Sequence, residues 1–247
     1  MSETKEKANG YLRPWEWVLW GVSVAIIVAT FCVFDRHGFL SLAASLVGVT
    51  ALLFTAKGNP IGPALSIVFS GLYGFISYRF TYYGEMVTYL GMYMPMCAVT
   101  FLSWLRHPGR SRREVRTRRL RLGEWCLLAV LTAGVAVAFY FILVALDTAN
   151  PIPGAIAVGT GFMACYLSCR RSPLFALVYA VNDVVLVVLW TLATMVDVSY
   201  LCVTVCFGVF CINDAYAYFN WTYMHRAQSE VPAEPADELC PRSADAE

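Results

Sequence analysis

The chain has 247 residues, of which 59% are hydrophobic and 14% are charged, and its formal net charge is +1. Soluble domains carry about 25% charged residues, so this composition excludes an ordinary soluble protein and predicts a helical membrane protein. None of the nine cysteines forms a C-x-x-C pair, and the three histidines fall outside the apolar segments. We therefore predict no metal centre, no cofactor and no catalytic site based on histidine.

Eight apolar segments are predicted to cross a bilayer as helices. They cover residues 15–34, 40–56, 61–79, 85–105, 124–146, 154–169, 174–195 and 199–223. The polar ends, residues 1–14 and 225–247, are predicted to be disordered cytoplasmic tails. Pro95 lies inside the fourth segment, where it removes a helical hydrogen bond and favours a bend, so it is a candidate hinge.

Basic residues predict the orientation of these segments. The linker between the fourth and fifth segments, residues 106–122, contains eight arginines. If both termini face the cytoplasm, only Arg36 and Arg79 of the 18 lysines and arginines lie outside, which follows the preference for basic cytoplasmic loops. We predict that the linker contacts anionic lipid and that it does not bind nucleic acid.

The second four segments repeat landmarks of the first four in the same order. The aligned pairs are Glu16 with Glu124, Gly48 with Gly159, Pro60 with Pro173, and Trp104 with Trp221. Because each unit has an even number of spans, both units keep the same orientation, as in the parallel repeats of secondary transporters. We expect the substrate pathway at the interface between the two halves.

Two Asn-Asp dipeptides in the second half are the main candidates for a functional site. Asn182-Asp183 and Asn213-Asp214 lie near the middle of apolar segments, where acids and amides are costly and by default functional. Neighbouring aromatic residues would stack on a ring, while the polar groups would bind hydroxyl or amide groups. The predicted substrate-binding residues are Tyr73, Tyr93, Tyr179, Asn182, Asp183, Trp190, Phe210, Asn213 and Asp214.

Packing between helices is an alternative role for the same polar residues. Asn and Asp side chains can bond to each other between helices and fix packing, for about 0.6 kcal/mol per bond in membranes. Whether Asp183 and Asp214 are ligands or packing groups stays open at this point. As a pair of acids they would also suit a proton relay or an intramembrane enzyme, and the basic linker would suit a sensor or an assembly protein. Glu85, near a segment end, is predicted to be a solvated cap. We favour a transporter over these alternatives.

Short motifs along nearly the whole membrane region carry a family resemblance. They are Ala56-Lys57-Gly58-Asn59, Gly71-Leu72-Tyr73, Tyr83-Gly84-Glu85, Tyr93-x-Pro95 with Trp104, Asn182-Asp183 with Trp190, and Phe210 to Asn213 with Trp221. In this order they resemble the PnuC family of vitamin transporters, whose best-known members carry nicotinamide riboside. The resemblance implies facilitated diffusion across the bacterial inner membrane, with uptake pulled by a cytoplasmic kinase that phosphorylates the vitamin.

The resemblance also implies a fold similar to that of the SWEET sugar transporters. Residues 40–105 and 154–223 would form two three-helix bundles, residues 124–146 the linking helix, and residues 15–34 an extra N-terminal helix. The number of copies in the assembly is left open, with a homo-oligomer as one alternative.

One departure from the family pattern bears on the substrate. Many nicotinamide riboside carriers have a Trp-x-x-Trp pair early in the helix equivalent to the seventh segment, and the stretch from Ala176 to Tyr179 has only the tyrosine. Trp17 and Trp20 have the required spacing, but they lie in the first segment, outside the core. We expect nicotinamide riboside as the substrate, with thiamine, riboflavin or a (deoxy)nucleoside as the alternative.

Overall fold

A computed structural model describes residues 12–34, 39–79, 83–109, 114–148, 150–196 and 198–230. Over these residues the chain forms eight helices that are long and apolar enough to cross a membrane, and no β-sheet. They are α1 (Pro14–Phe34), α2 (Phe39–Ala56), α3 (Ile61–Arg79), α4 (Tyr83–Arg106), α5 (Leu122–Ala145), α6 (Pro151–Cys169), α7 (Leu174–Thr194) and α8 (Leu201–Glu230). The predicted all-α membrane protein with eight spans is confirmed.

The structure differs most from the sequence prediction at the end of α8. The helix continues to Glu230, so residues 225–230, which the sequence assigns to a tail, are helical. The extension contacts the linker. The Gln228 side chain accepts a hydrogen bond from the Thr117 N–H at 2.8 Å and donates one to Val115 O at 3.1 Å.

Some predictions concern residues outside the described part of the chain. These are the break at 35–38, much of the break around 81–84, residues 110–113 of the linker, and the remainder of both tails. Between α7 and α8, the described part of the loop contains a short 3-10 turn, Val198–Tyr200.

α4 consists of three consecutive parts. An α-helical segment, Tyr83–Val87, is followed by a π-helical turn, Thr88–Tyr93, and then by a second α-helical segment, Met94–Arg106. Pro95 lies in the first turn of the last part, directly after the π turn. Inserted π turns are frequent at functional sites. The irregular part of α4 thus coincides with the predicted bend, and its role as a hinge stays a prediction.

The helices pack in two groups that meet along one interface. In the first group α2 packs on α3 and α3 on α4, and in the second α6 packs on α7 and α7 on α8. The groups meet where α2 packs against α8 and α4 against α6. α1 contacts both groups, through α2 and α8, and α5 lies against α6. The predicted pair of three-helix bundles is consistent with this packing.

The two halves, α1–α4 and α5–α8, exchange hydrogen bonds at the end of the bundle that carries residues 114–121, which we call the linker end. Trp104 donates from Nε1 to Ser168 O of α6 at 2.9 Å, and Trp221 donates from Nε1 to Thr55 O of α2 at 2.8 Å. The residues before the tryptophans repeat the exchange: Ser103 Oγ donates to Cys169 O, and Asn220 Nδ2 donates to Ala56 O. Thr55 and Ser168 each precede an aligned proline by five positions, so the contacts follow the predicted register.

Each half also has a glutamate with an ion pair near the start of its first helix. Glu16 of α1 is fully buried and pairs with Lys57, with 2.9 Å between Oε1 and Nζ. Glu124 of α5 is less buried and pairs with Arg118 and Arg170. Lys57 and Arg170 each lie three positions before an aligned proline. The correspondence between the halves therefore extends to their ion pairs.

Candidate functional site

A cavity of about 340 Å3 opens at the end of the bundle opposite the linker. We call it the outer cavity. It lies between α4, α5, α6 and α7, and its rim includes the exposed residues Tyr83, Asp147 and Asn150. Its volume falls within the range of about 300–1,000 Å3 that is typical of small-molecule sites.

Aromatic and polar side chains line the outer cavity. Glu85, Tyr89 and Tyr93 follow one another at intervals of four residues along α4. Trp190 of α7 is buried on the lining, and its indole Nε1 has no hydrogen-bond acceptor among the described residues. A buried donor left unpaired costs about 1–3 kcal/mol, so Trp190 is suited to donate to a ligand.

Asn182 of α7 lies on the wall between the outer cavity and a second, deeper cavity. Thr160 of α6 donates to Asn182 Oδ1 at 2.8 Å and thereby orients the amide. Tyr89, Tyr93 and Leu186 complete this wall, because they line both cavities. A polar group thus stands between aromatic rings at the point where the two cavities meet.

The second cavity, which we call the inner cavity, has a volume of about 60 Å3 and lies between α2, α3, α4, α7 and α8. The first half contributes Phe69, and the second half contributes Tyr179, Asp183, Phe210 and Asp214. A few water molecules fit in this volume, but a nucleoside does not. In this conformation the outer cavity is therefore the space that can hold a ligand.

Packed side chains close the pathway at the linker end. Trp104, Phe175 and Trp221 are at most 1% exposed, and the ring centroids of the two tryptophans are 5.2 Å apart. Val115 of the linker is fully buried in the same cluster, and its N–H donates to Gly58 O at 3.0 Å. The pathway is accessible from the outer cavity and closed at the linker end.

Two residues of the predicted site line neither cavity. The Asn213 amide faces α1, where Nδ2 donates to Ser23 Oγ at 3.0 Å, and it also donates to a carbonyl of its own helix at 2.8 Å. Adjacent residues on a helix point about 100° apart, so Asp214 faces the inner cavity while Asn213 faces the packing surface. The Tyr73 ring packs behind the lining on the Tyr89 ring, with centroids 4.4 Å apart. In this conformation both residues make packing contacts, and a role for either of them in substrate binding stays a prediction.

The structure brings the other predicted residues together along one path. Those that line at least one cavity are Tyr93, Tyr179, Asn182, Asp183, Trp190, Phe210 and Asp214. Glu85 also lines the outer cavity, where it lies in the first turn of α4. Residues four apart share a helix face, so the spacing from Glu85 to Tyr89 to Tyr93 is the signal that could have grouped them.

Two cavities in series, lined by acids and aromatic rings inside a bundle of membrane helices and closed at one end, define a membrane carrier for a small solute. A family described as nicotinamide mononucleotide transporter matches residues 38–223. This match covers more than half of the chain, and the protein belongs to that family. The prediction of a membrane transporter, in place of an enzyme, is confirmed by the family.

Individual relatives agree with the family. A nicotinamide riboside transporter PnuC from Neisseria mucosa is 26% identical over 217 residues, which cover 85% of this chain and 82% of the relative. A protein of the same name from Haemophilus influenzae is 21% identical over 221 residues, or 88% of this chain and 93% of the relative. A crystal structure of the vitamin B3 transporter PnuC matches the fold with a TM-score of 0.77 and 24% identity, over 92% of this chain and 99% of that one. The predicted resemblance to PnuC is confirmed.

Proposed function

We propose that this protein takes up nicotinamide riboside across the bacterial inner membrane by facilitated diffusion. Both relatives named above are nicotinamide riboside transporters. Within this chain, the observation that carries the proposal is the charge of the pathway. The described lining contains four acids, Glu85, Asp147, Asp183 and Asp214, and no Lys, Arg or His. Such a lining suits a cation, and the pyridinium ring of nicotinamide riboside carries one positive charge.

The same charge favours the riboside over its nucleotide. Side chains that bind phosphate are typically those of arginine and lysine, and the described lining of the two cavities has neither. A phosphate group would instead meet the four acids, whose repulsion opposes uptake. We therefore propose the riboside, although the family description names the mononucleotide.

The outer cavity supports specific roles for its residues. We assign the substrate ring to contacts with Tyr89, Tyr93 and Trp190, because aromatic faces bind flat rings and attract cations. The Trp190 Nε1–H can donate to an acceptor such as the carboxamide oxygen. The oriented amide of Asn182 can bind a ribose hydroxyl or the carboxamide group.

The orientation of the chain explains how the vitamin would accumulate. We place both termini and the linker end in the cytoplasm, where Arg118, Arg170 and Arg171 lie close together, as the preference for basic cytoplasmic loops predicts. The structure then corresponds to a state open to the outside. A cytoplasmic kinase that phosphorylates the vitamin would trap it, because the product is an anion that the acidic pathway repels.

Release into the cytoplasm requires the linker end to open. Since Trp104 and Trp221 bond across the halves, rocking one half against the other would break both bonds together. The π turn of α4 lines the outer cavity, and Pro95 follows it on the side of Trp104, so α4 can bend there while its two ends stay packed. We assign Pro95 to this hinge.

Thermal unfolding of the purified protein tests the substrate, because a ligand that binds the folded state raises the Tm. Nicotinamide riboside at 100 times its Kd should stabilise the protein by about 2.7 kcal/mol, and the mononucleotide should give a much smaller shift. Asn182→Ala should weaken riboside binding about tenfold. Asn213→Ala, the same change at a packing position, should leave the Kd unchanged.

Thiamine is the second candidate, because its thiazolium ring is also cationic and the Trp-x-x-Trp pair of many riboside carriers is absent. Riboflavin and nucleosides, which are neutral, complete the panel of ligands. A Tm shift with thiamine and none with nicotinamide riboside would contradict the substrate assignment.

A further inference from the structure

Asp183 and Asp214 form a pair of carboxyl groups in the inner cavity. They are 4% and 2% exposed, and their side chains lie within hydrogen-bonding reach of each other between α7 and α8. Asp183 Oδ2 and Asp214 Oδ1 receive no hydrogen bond from any N–H or alcohol group of the described residues. The ion pairs found in the same residues lie at the linker end and involve neither aspartate.

Contact between two carboxyl groups implies a shared proton. Two carboxylates a hydrogen bond apart in apolar surroundings repel each other, whereas one proton between them makes a strong O–H···O⁻ bond. The pair then carries one negative charge. Burying that charge without a partner costs several kcal/mol, and no basic side chain of the described residues lines the inner cavity.

Aromatic rings surround this pair. Phe69, Phe207, Phe210 and Tyr179 line the inner cavity, and Phe210 packs nearly edge-on against Phe69 and Phe207, with centroids 6.2 and 5.9 Å apart. The faces of aromatic rings attract cations. Flat apolar walls and one net negative charge are the components of a site for a planar monocation.

The position of the pair indicates when it acts. The inner cavity shares Tyr93 and Asn182 with the outer cavity and lies on the way to the closed linker end. At about 60 Å3 it does not hold a nucleoside, so a ligand reaches the pair only when the halves move and the inner cavity widens.

We propose that Asp183 and Asp214 form a cation-selecting subsite that receives the charged ring of the substrate after the ring leaves the outer cavity. The ligand class is a planar aromatic monocation, such as a pyridinium or a thiazolium ring. The inference rests on the proposed function in taking nicotinamide riboside as that cation, while the charge requirement holds for any ring of this class.

Uptake into proteoliposomes tests the subsite with two matched ligands. Nicotinamide riboside and its dihydro form share the ribose and the carboxamide group, but only the first has a charged ring. For the wild-type protein, uptake of the cation should exceed uptake of the neutral form about tenfold or more. Asp183→Asn and Asp214→Asn should each lower this ratio about tenfold, chiefly through slower uptake of the cation. Glu124→Gln, the same acid-to-amide change outside the pathway, should leave the ratio unchanged.

Uptake of the neutral form also shows that a variant is folded. The subsite is ruled out if both aspartate variants keep the wild-type ratio of cation uptake to neutral uptake. It is also ruled out if the wild-type protein takes up the two forms equally. A variant that loses uptake of both forms would show a structural role for that aspartate and would contradict the proposal.

Failure of the proposed function gives a different result. If the wild-type protein transports neither form, nicotinamide riboside is not its substrate. The ratio is then measured with thiamine and its neutral analogue 3-deazathiamine. A lower ratio of thiamine uptake to analogue uptake in the aspartate variants would support the subsite, and an unchanged ratio would overturn it.

Discussion

The two halves of the molecule are alike at the linker end and different in the middle of the membrane. At the linker end, each half donates an indole N–H to a carbonyl of the other half. In the middle, the predicted register places Phe69 and Ser70 opposite Asn182 and Asp183. Ser70 donates to a carbonyl of its own helix, while Asp183 faces the inner cavity. The acids of the inner cavity therefore come from the second half alone.

Because of this difference, closing the pathway depends on both halves, whereas binding a ligand depends on the polar groups of the second half. The closing contacts are exchanged between the halves, so they break together when the halves separate. A ligand with a charged ring at one end is not symmetric, and polar groups are needed on one wall only. Each buried acid also costs free energy in a membrane, so a second set in the first half would destabilise the fold without adding a contact.

The largest expected effect comes from the exchanged tryptophans. Trp104→Ala and Trp221→Ala each remove a buried ring and leave a carbonyl without its donor. We expect each variant to lower the free energy of unfolding by about 3–5 kcal/mol, as measured by thermal unfolding in detergent. Losses of similar size would show that the two halves contribute equally to the closed end.

Phenylalanine variants separate the packing of the rings from their hydrogen bonds. Trp104→Phe and Trp221→Phe keep much of the ring and lose the N–H, so each should lose about 1 kcal/mol from the missing bond. A large loss of stability in only one of the two variants, Trp104→Ala and Trp221→Ala, would contradict the equivalence of the halves.

The ion pairs of the two halves should differ in strength although their positions correspond. The Glu16 side chain is 0% exposed and that of Lys57 15%, whereas the side chains of Arg118 and Arg170 are 37% and 35% exposed. Removing one partner of a buried pair is costly, while exposed pairs contribute little. Glu16→Gln should therefore lower stability by about 2–4 kcal/mol, and Glu124→Gln by less than about 1 kcal/mol.

A double variant shows whether the unpaired charge causes this loss. Adding Lys57→Met to Glu16→Gln removes the cation that the first change leaves without its partner, so the double variant should be more stable than Glu16→Gln alone. Equal losses in the two glutamine variants would instead show that burial does not set the strength of these pairs.

The spans and the repeat could be predicted because each depends on local features. An apolar run of about 20 residues is enough to predict a membrane helix. Prolines and tryptophans at segment ends were enough to align the halves. The exchange of hydrogen bonds was not predictable, since nothing in the sequence near Trp104 shows that its indole binds Ser168 of the other half. That contact depends on how α4 packs against α6.

The direction of side chains within a membrane helix was harder to predict. An apolar helix face in a membrane can lie against lipid as well as against protein, so the pattern of α8 does not reveal its inner side. The sequence therefore does not show which of Asn213 and Asp214 faces the pathway, whereas the contact between Asn213 and α1 does. In α4, Glu85, Tyr89 and Tyr93 have the spacing of one helix face, but the sequence does not show that this face lines the pathway.

The smallest expected effect concerns the hydrogen bond between α1 and α8. Ser23→Ala removes the acceptor of the Asn213 amide, and interhelical hydrogen bonds in membranes contribute about 0.6 kcal/mol on average. Thermal unfolding should show a loss of that size, and uptake should stay at the wild-type rate, because neither residue lines a cavity. In the Asn213→Ala background, Ser23→Ala should cause little further loss of stability, because the hydrogen bond between the two residues is already absent. Weaker substrate binding in Asn213→Ala, with none in Ser23→Ala, would return Asn213 to the binding site and extend the polar wall to a second face of α8.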